Sequence, residues 1–244
     1  MIKLIHGDCL EEMKKIEDNS IDMILCDLPY GTTACKWDTV INFDLLWKQY
    51  KRIIKDNAAI VLFGSQPFTS KLVCSNIKWF RYEWIWEKSR PSNIFLSKKM
   101  PLKYHENICV FYNKLPKYNP IMWKGKKNHK GAKDINKIYI SNHINSKRKN
   151  VHNTSDLHYP KSIQNFKSLA PQKIIHPTQK PILLLEYLLK TYTDKNDLVL
   201  DNCMGSGSTG IAAKNLKRSF IGIEKDETYY KIAKERIENY RSLL

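Results

Sequence analysis

A chain of 244 residues with 42% hydrophobic content is long and apolar enough for one large α/β domain, which argues against general disorder. Its 41 Lys and Arg against 24 Asp and Glu leave a formal charge of +17, an excess that points to a polyanionic partner, nucleic acid first. The six cysteines form no Cys-x-x-Cys pair, so no metal site is expected, and no apolar run approaches the ~20 residues of a membrane span. With no basic lead and secretory-length apolar stretch in "MIKLIHGDCLEEM", the chain reads as cytoplasmic, its thiols reduced and mostly buried.

"IKLIHGD" predicts a short strand ending at Asp8, and "CLEEMKKI" a helix with Leu10, Met13 and Ile16 on one face. "IDMILC" is a near-continuous apolar run, as a parallel strand covered on both faces requires. It stops at "DLPY", residues 27–30. "FDLLWKQYKRII" returns to helical period, with Asp44 early and basic residues late. "AAIVLFG", "RYEWIWEK" and "NICVFYN" read as further strands, the last two separated by a polar loop containing "SRPSN".

From residue 113 to 172 the character changes. This stretch carries 13 Lys or Arg against Asp134 and Asp156 only, a net +11 of the total +17, with Tyr118, Trp123, Tyr139, Tyr159 and Phe166 interleaved. It has no sustained period, so its fold is not assigned. Cations that hold phosphates beside rings that meet bases are what a nucleic-acid-reading insertion needs. Lys124, Lys126, Lys127, Lys147, Arg148 and Lys149 are its candidate DNA contacts, with Lys36 upstream as a further phosphate partner. A solvated Lys/Asn-rich loop remains the alternative.

"PILLLEYLLKTYT" then predicts a helix opened by Pro181, "LVLD" a strand, "IAAKNLK" a helix, "SFIGIE" a strand, and the rest a helix to about Tyr240. Between strand and helix lies "DNCMGSGSTG", whose Gly205, Gly207 and Gly210 match G-x-G-x-x-G. Glu224 ends the next strand, where an acid can accept both hydroxyls of a ribose. A dinucleotide is the obvious ligand, but Asp201 just before the loop suits a cationic amine better than a pyrophosphate. S-adenosylmethionine carries such an amine beside its ribose and adenine. Little chain follows Glu224, so the remaining strands of the half-site are expected from the N-terminal half, in a sheet read across the termini. Asp8 would then reach the adenine edge, and Asp27 would stand beside it in the crevice at the strand ends.

These residues resemble the S-adenosylmethionine-dependent amino-group DNA methyltransferases. "DLPY" looks like that family's catalytic Asp/Asn/Ser-Pro-Pro-aromatic tetrapeptide, "DNCMGSGST" like its cofactor loop, and "HPTQKP" like the segment before that loop in the group whose catalytic motif comes first (the beta type). The likeness covers about 1–112 and 173–244, and leaves the basic insertion uncovered. Leu28 replaces the commoner proline and Cys203 a usual aromatic. The resemblance implies a Rossmann-like, mostly parallel sheet with helices on both faces, in circularly permuted motif order. Residues 1–112 would be its catalytic part, 113–172 a target-recognition insertion and 173–244 its cofactor-binding part. It also implies cofactor contacts from Asp201, Cys203, Gly205, Gly207, Ser208, Thr209 and Glu224, with Thr178 and Lys180 on the methionine carboxylate. Members of the group often dimerise and often accompany a restriction endonuclease in bacteria or phage, bound to the nucleoid; the sequence itself speaks to neither partner.

The tetrapeptide fits that chemistry. An exocyclic amine is a poor nucleophile because its lone pair is delocalised into the ring. The Asp27 carboxylate and the Leu28 carbonyl can hold both amine hydrogens and turn the lone pair toward a sulfonium methyl, which is catalysis by positioning and electrostatics. The base must leave its stack, so Pro29 stiffens the turn and Tyr30 offers a ring for the extruded base. His105 and Glu106 read as a hydrogen-bonded structural pair. By the family's habit Asp27 favours adenine N6, with cytosine N4 as the neighbouring alternative. RNA as substrate, a dinucleotide-dependent oxidoreductase and a non-catalytic DNA-binding protein are the others.

Overall fold

The computed structural model describes residues 1–32, 38–126, 156–169 and 179–240. Its main unit comprises residues 1–119 and 161–244, and residues 120–160 form a second. In chain order the main unit runs β1 (Ile2–His6), α1 (Cys9–Met13), β2 (Ile21–Cys26), α2 (Phe43–Ile53), β3 (Ile54–Gly64), α3 (Phe68–Ser75), β4 (Phe80–Lys88), a 3-10 turn (Ile94–Leu96) and β5 (His105–Phe111). The second unit contributes β6 (Trp123–Lys124) and β7 (Leu157–His158). β8 (Ile163–Phe166), α4 (Ile182–Tyr192), β9 (Leu198–Asp201), α5 (Ser208–Asn215), β10 (Ser219–Glu224) and α6 (Glu227–Asn239) complete the main unit.

Eight strands form one sheet in the order β1-β10-β9-β2-β3-β5-β4-β8. β1, β10, β9, β2 and β3 are mutually parallel, β5 runs antiparallel to β3 and β4, and β8 adds parallel to β4. The continuous apolar runs are explained by burial on both faces. In β2, Ile24 and Cys26 join one core with α1, α2 and α3, whereas Met23 and Leu25 join the other with α4, α5 and α6. A leucine such as Leu188, fully buried on α4, stabilises the second layer by about 1.5–3 kcal/mol, and Leu188→Ala costs about 2–5.

Local chemistry sets the ends. Asn42 caps α2 by accepting from Leu45 N–H at 3.1 Å, and Lys51 and Arg52 close its last turn against the helix dipole. α2 feeds directly into β3, which begins four residues before the apolar run. Among the elements that escaped the sequence reading, one helix and one strand belong to the main unit. α3 is short and carries Thr69, Ser70 and Lys71 near its start. β8 lies within the stretch read as a basic insertion, yet its Phe166 carbonyl accepts from Trp86 Nε1–H at 2.9 Å and its register aligns Ile163 with Ile85.

The chain reverses its direction of travel across the sheet between β9 and β2: β10 and β1 lie to one side, β3 to the other. In open α/β sheets ligands bind at such a switch point, outside the strands' carboxyl ends. Asp8, Asp27, Asp201 and Glu224 all stand at those ends. The described residues of the second unit include a small antiparallel ladder in which Trp123 stacks on His158 at 4.7 Å and its indole N–H donates to the Tyr159 carbonyl at 3.0 Å. No helix among the described residues is long and apolar enough to cross a membrane.

Candidate active site

The ends of β1, β2, β9 and β10 open onto a cleft of about 580 Å³, lined among others by Asp8, Asp27, Leu28, Tyr30, Lys180, Asp201, Cys203, Gly205 and Glu224. Its two halves are built differently. Around the glycine loop the backbone does most of the work. Gly205 and Gly207 have φ of 50° and 80°, and a Cβ on Gly207 would stand 2.9 Å from Ile237 and 3.0 Å from Ala233 Cβ. Glu224 holds the loop: its two oxygens accept from Gly205 N–H and Asp226 N–H, both at 2.8 Å. Burial raises its carboxyl above the ordinary value against those hydrogen bonds.

Asp201 is 3% exposed. Burial pushes its carboxyl up to about 6, although Thr209 and Cys203 N–H, the latter at 3.1 Å, hydrogen-bond to it. Ser208 Oγ is buried in the same wall without a hydrogen-bond partner among the described residues. A buried carboxylate and an unsatisfied hydroxyl facing one cleft suit a polar, cationic ligand. Asp8 caps α1 through Leu10 N–H at 2.9 Å and meets Lys225 Nζ at 3.1 Å. Cys203 lies against the buried Cys9 and Cys26 thiols; burial pushes Cys26 up to about 12, so it is core and no nucleophile.

The half around "DLPY" is made of charge. Asp27 Oδ1 accepts from the Tyr30 hydroxyl at 2.6 Å and Oδ2 from Lys180 Nζ at 2.5 Å. Lys180 also lies 3.3 Å from Glu106, which accepts from Lys88 Nζ at 2.9 Å. The chain Tyr30–Asp27–Lys180–Glu106–Lys88 is largely buried, and Lys180 sits 5.0 Å over the Phe63 ring. Burial raises the Asp27 carboxyl, and Glu106 adds to this while Lys180 and Tyr30 oppose it. Burial alone would lower the Lys180 ammonium, but its two carboxylates hold it above its ordinary value. Burial would likewise raise Glu106, yet Lys180 and Lys88 together hold it below the usual range.

Tyr30 stacks on Phe68 at 4.8 Å, so α3 backs the tetrapeptide ring. Asp38 closes the turn by accepting from Gly31 N–H at 2.8 Å and Thr32 N–H at 2.9 Å. Leu28 turns its side chain into the core, and with Pro29 it lines the cleft.

The structure thus brings Asp8, Asp27, Leu28, Pro29, Tyr30, Asp201, Cys203, Gly205, Ser208, Thr209 and Glu224 to one cleft, and Gly207 supports it from behind. Lys180 lines the same cleft, its ammonium paired with Asp27 and Glu106. One expectation changes. Glu106 pairs with Lys88 and Lys180, not with the exposed His105. Lys88, Phe68 and Asp38 were missed, and Glu106 was given the wrong partner; the available signal was a lysine ending one strand and a glutamate at the start of the next, charges that burial obliges to pair. Lys124 meets Asp156 at 3.5 Å and Lys126 is exposed. Lys36, Lys127, Lys147, Arg148, Lys149 and Thr178 lie outside the described residues.

A family model for DNA methylases, N6_N4_Mtase, matches residues 21–235. Type II methyltransferase M2.MboI of Moraxella bovis is 27% identical over 270 residues, spanning 99% of this chain and 89% of the relative. Type II methyltransferase M.HinfI of Haemophilus influenzae is 27% identical over 264 residues, spanning 98% and 68%. Among solved structures, that of the M1.HpyAVI–SAM complex superposes with a TM-score of 0.65 at 27% identity, covering 98% of this chain and all of that one. The PvuII DNA methyltransferase, described as cytosine-N4-specific, shares the fold with a TM-score of 0.69 at 16% identity, over 100% of this chain and 88% of that one.

Proposed function

The chain belongs to the DNA methylase family, and on that premise we propose that it moves a methyl group from S-adenosylmethionine to the N6 amine of an adenine flipped out of double-stranded DNA. The observation that carries the reading is the Asp27 carboxylate at the switch-point cleft, held between the Tyr30 hydroxyl and Lys180.

The cleft's residues fit the cofactor. Asp201, buried and raised to about 6, would hold the cationic amine; Glu224 would take the ribose hydroxyls, Asp8 the adenine side, and Ser208 a polar contact that completes its hydrogen bonding. When bound, S-adenosylmethionine supplies an electrophilic methyl on sulfonium sulfur. Asp27 and the Leu28 carbonyl accept the two amine hydrogens of the base and turn its lone pair out of the ring plane. Tyr30, backed by Phe68, flanks the base. Asp27 need not be a strong base, since the amine sheds its proton after gaining the methyl. What Asp27 needs is to stay ionised although buried, and Lys180 supplies that counter-charge.

Residues 113–172 are the reading's target-recognition segment, supported by their net charge of +11. The Type II relatives support a cytoplasmic restriction–modification setting with a companion endonuclease. The group's habit supports a homodimer.

Single-molecule sequencing of DNA from a methylation-deficient host expressing the chain tests the reading. Modified adenine at one short recurring motif is expected. Asp27→Ala should lower turnover by about 10³-fold or more while cofactor binding persists. Modified cytosine would replace N6 by N4 chemistry. Wild-type turnover in the Asp27 variant would sink the mechanism.

A further inference from the structure

The loop between β4 and β5 reads from sequence as a polar connection, but its exposed surface also carries an apolar tip. Phe95, on the 3-10 turn Ile94–Leu96, is 99% exposed, and the adjacent Ile94 is 58% exposed. Residues 89–104 contain no acid, and Arg90, Lys98 and Lys99 are all exposed. The loop is nonetheless built. Asn93 donates to the Pro101 carbonyl at 3.0 Å and accepts from Lys103 N–H at 2.6 Å, while Ser92 N–H donates to the Lys103 carbonyl at 3.1 Å. Its root is tied by Lys88 N–H to the Tyr104 carbonyl at 2.7 Å, and Lys103 Nζ donates to Ser65 Oγ.

Its place matters more than its composition. Lys88 immediately precedes the loop and Glu106 follows it, and these are the outer members of the ion-pair chain that ends on Asp27. The loop therefore rises from the same end of the sheet as the tetrapeptide. We infer that it docks on duplex DNA, with Phe95 wedged into the base stack beside the extruded base and Arg90, Lys98 and Lys99 on the phosphates. The inference rests on the methyltransferase reading for what the wedge achieves. A braced aromatic tip surrounded only by cations matches a polyanion whose interior is stackable; wedging of apolar side chains into base steps is an established way to hold deformed DNA. An apolar tip of this size is too small for a stable protein interface.

Two measurements test it. Affinity for a generic duplex across salt concentrations compares wild type with the double variant Lys98→Gln, Lys99→Gln. The slope of log affinity against log salt should flatten by about two, since each phosphate contact contributes about 0.9. An unchanged slope overturns the docking surface, as does a loss of binding to anionic vesicles with none to duplex. This arm needs no methylation, so a chain that modifies no base fails the methyltransferase reading alone. With the target motif known, duplexes carrying 2-aminopurine at the target base report extrusion. Phe95→Ala should cut the fluorescence gain about fivefold or more, and Phe95→Leu should restore most of it, with the melting temperature unchanged in both. Wild-type extrusion by Phe95→Ala overturns the wedge.

Discussion

The two halves of the cleft solve the same problem, a polar site at the end of an apolar sheet, by opposite means. Around the glycine loop, backbone N–H groups satisfy Glu224 at 2.8 Å each, and Asp201 is the single deeply buried charge. Around the tetrapeptide, four charged side chains separated by up to 153 positions in sequence join in one buried ion-pair chain. The first design tolerates an empty site, because its acid can take up a proton. The second is closed within the protein, each of its charges depending on the next. A ligand half built on backbone and a reacting half built on coupled charge should therefore respond differently to the loss of one group.

The sharpest break is expected at Lys180. Lys180→Met removes the cation that opposes the burial-driven rise of Asp27, so kcat should fall by about 10²-fold and the acid limb of its pH profile should move to higher pH. Glu106→Gln should move that limb the other way, since Glu106 raises Asp27 while Lys180 stays on its carboxylate. Shifts of the same sign in both variants, read from single-turnover rates against pH, would show that the chain does not act as one coupled unit.

This contrast also explains what was legible in the sequence. Continuous apolar runs announced β2, β3 and β9 because burial on both faces leaves no room for alternation. "DLPY" and the glycine loop were legible because their chemistry is local, a turn and a left-handed backbone within a few residues. Glu106 was placed beside His105 because neighbours in sequence were the only partners visible. Its actual partners come from further away: the antiparallel register of β4 and β5 sets Glu106 opposite Trp86 and near Lys88, and Lys180 arrives from the segment before α4. β8 was lost among basic residues because its centre, Gln164 and Asn165, is polar.

A smaller effect is expected in the ligand half. Asp201→Asn keeps the shape and removes the charge, so S-adenosylmethionine should bind about tenfold more weakly near neutral pH. The sign of the pH dependence follows from the raised carboxyl. Below about 6 Asp201 takes up a proton and no longer pairs with a cation, so wild-type affinity should fall by up to tenfold per pH unit there. Above about 8 the ligand's α-amine loses its proton, and affinity should fall again. In the empty protein the linkage runs opposite: the contribution of Asp201 to stability is present below about 4 and is lost as pH rises through about 6. Calorimetric titration of wild type and Asp201→Asn from pH 5 to 9 checks both limbs, and an Asn variant with the wild-type acid limb would remove Asp201 from the amine site.

The smallest effect should come from Lys225, whose exposed ammonium meets Asp8 3.1 Å away at the rim of the same half. An ion pair with one partner 77% and the other 42% exposed is weak, because water screens it and a long side chain must be held still. Asp8 does not depend on it for position, since its other oxygen caps α1 through Leu10 N–H. Lys225→Ala should change thermal stability by less than about 0.5 kcal/mol and cofactor affinity by less than about twofold. Asp8→Ala, by contrast, should cost about 1 kcal/mol through the lost cap, and affinity besides if the adenine side rests on it. Were Lys225→Ala to weaken the cofactor more than Asp201→Asn does, the ligand half would depend on rim charge, not on its buried acid and backbone, and the division between the two halves of the cleft would fall.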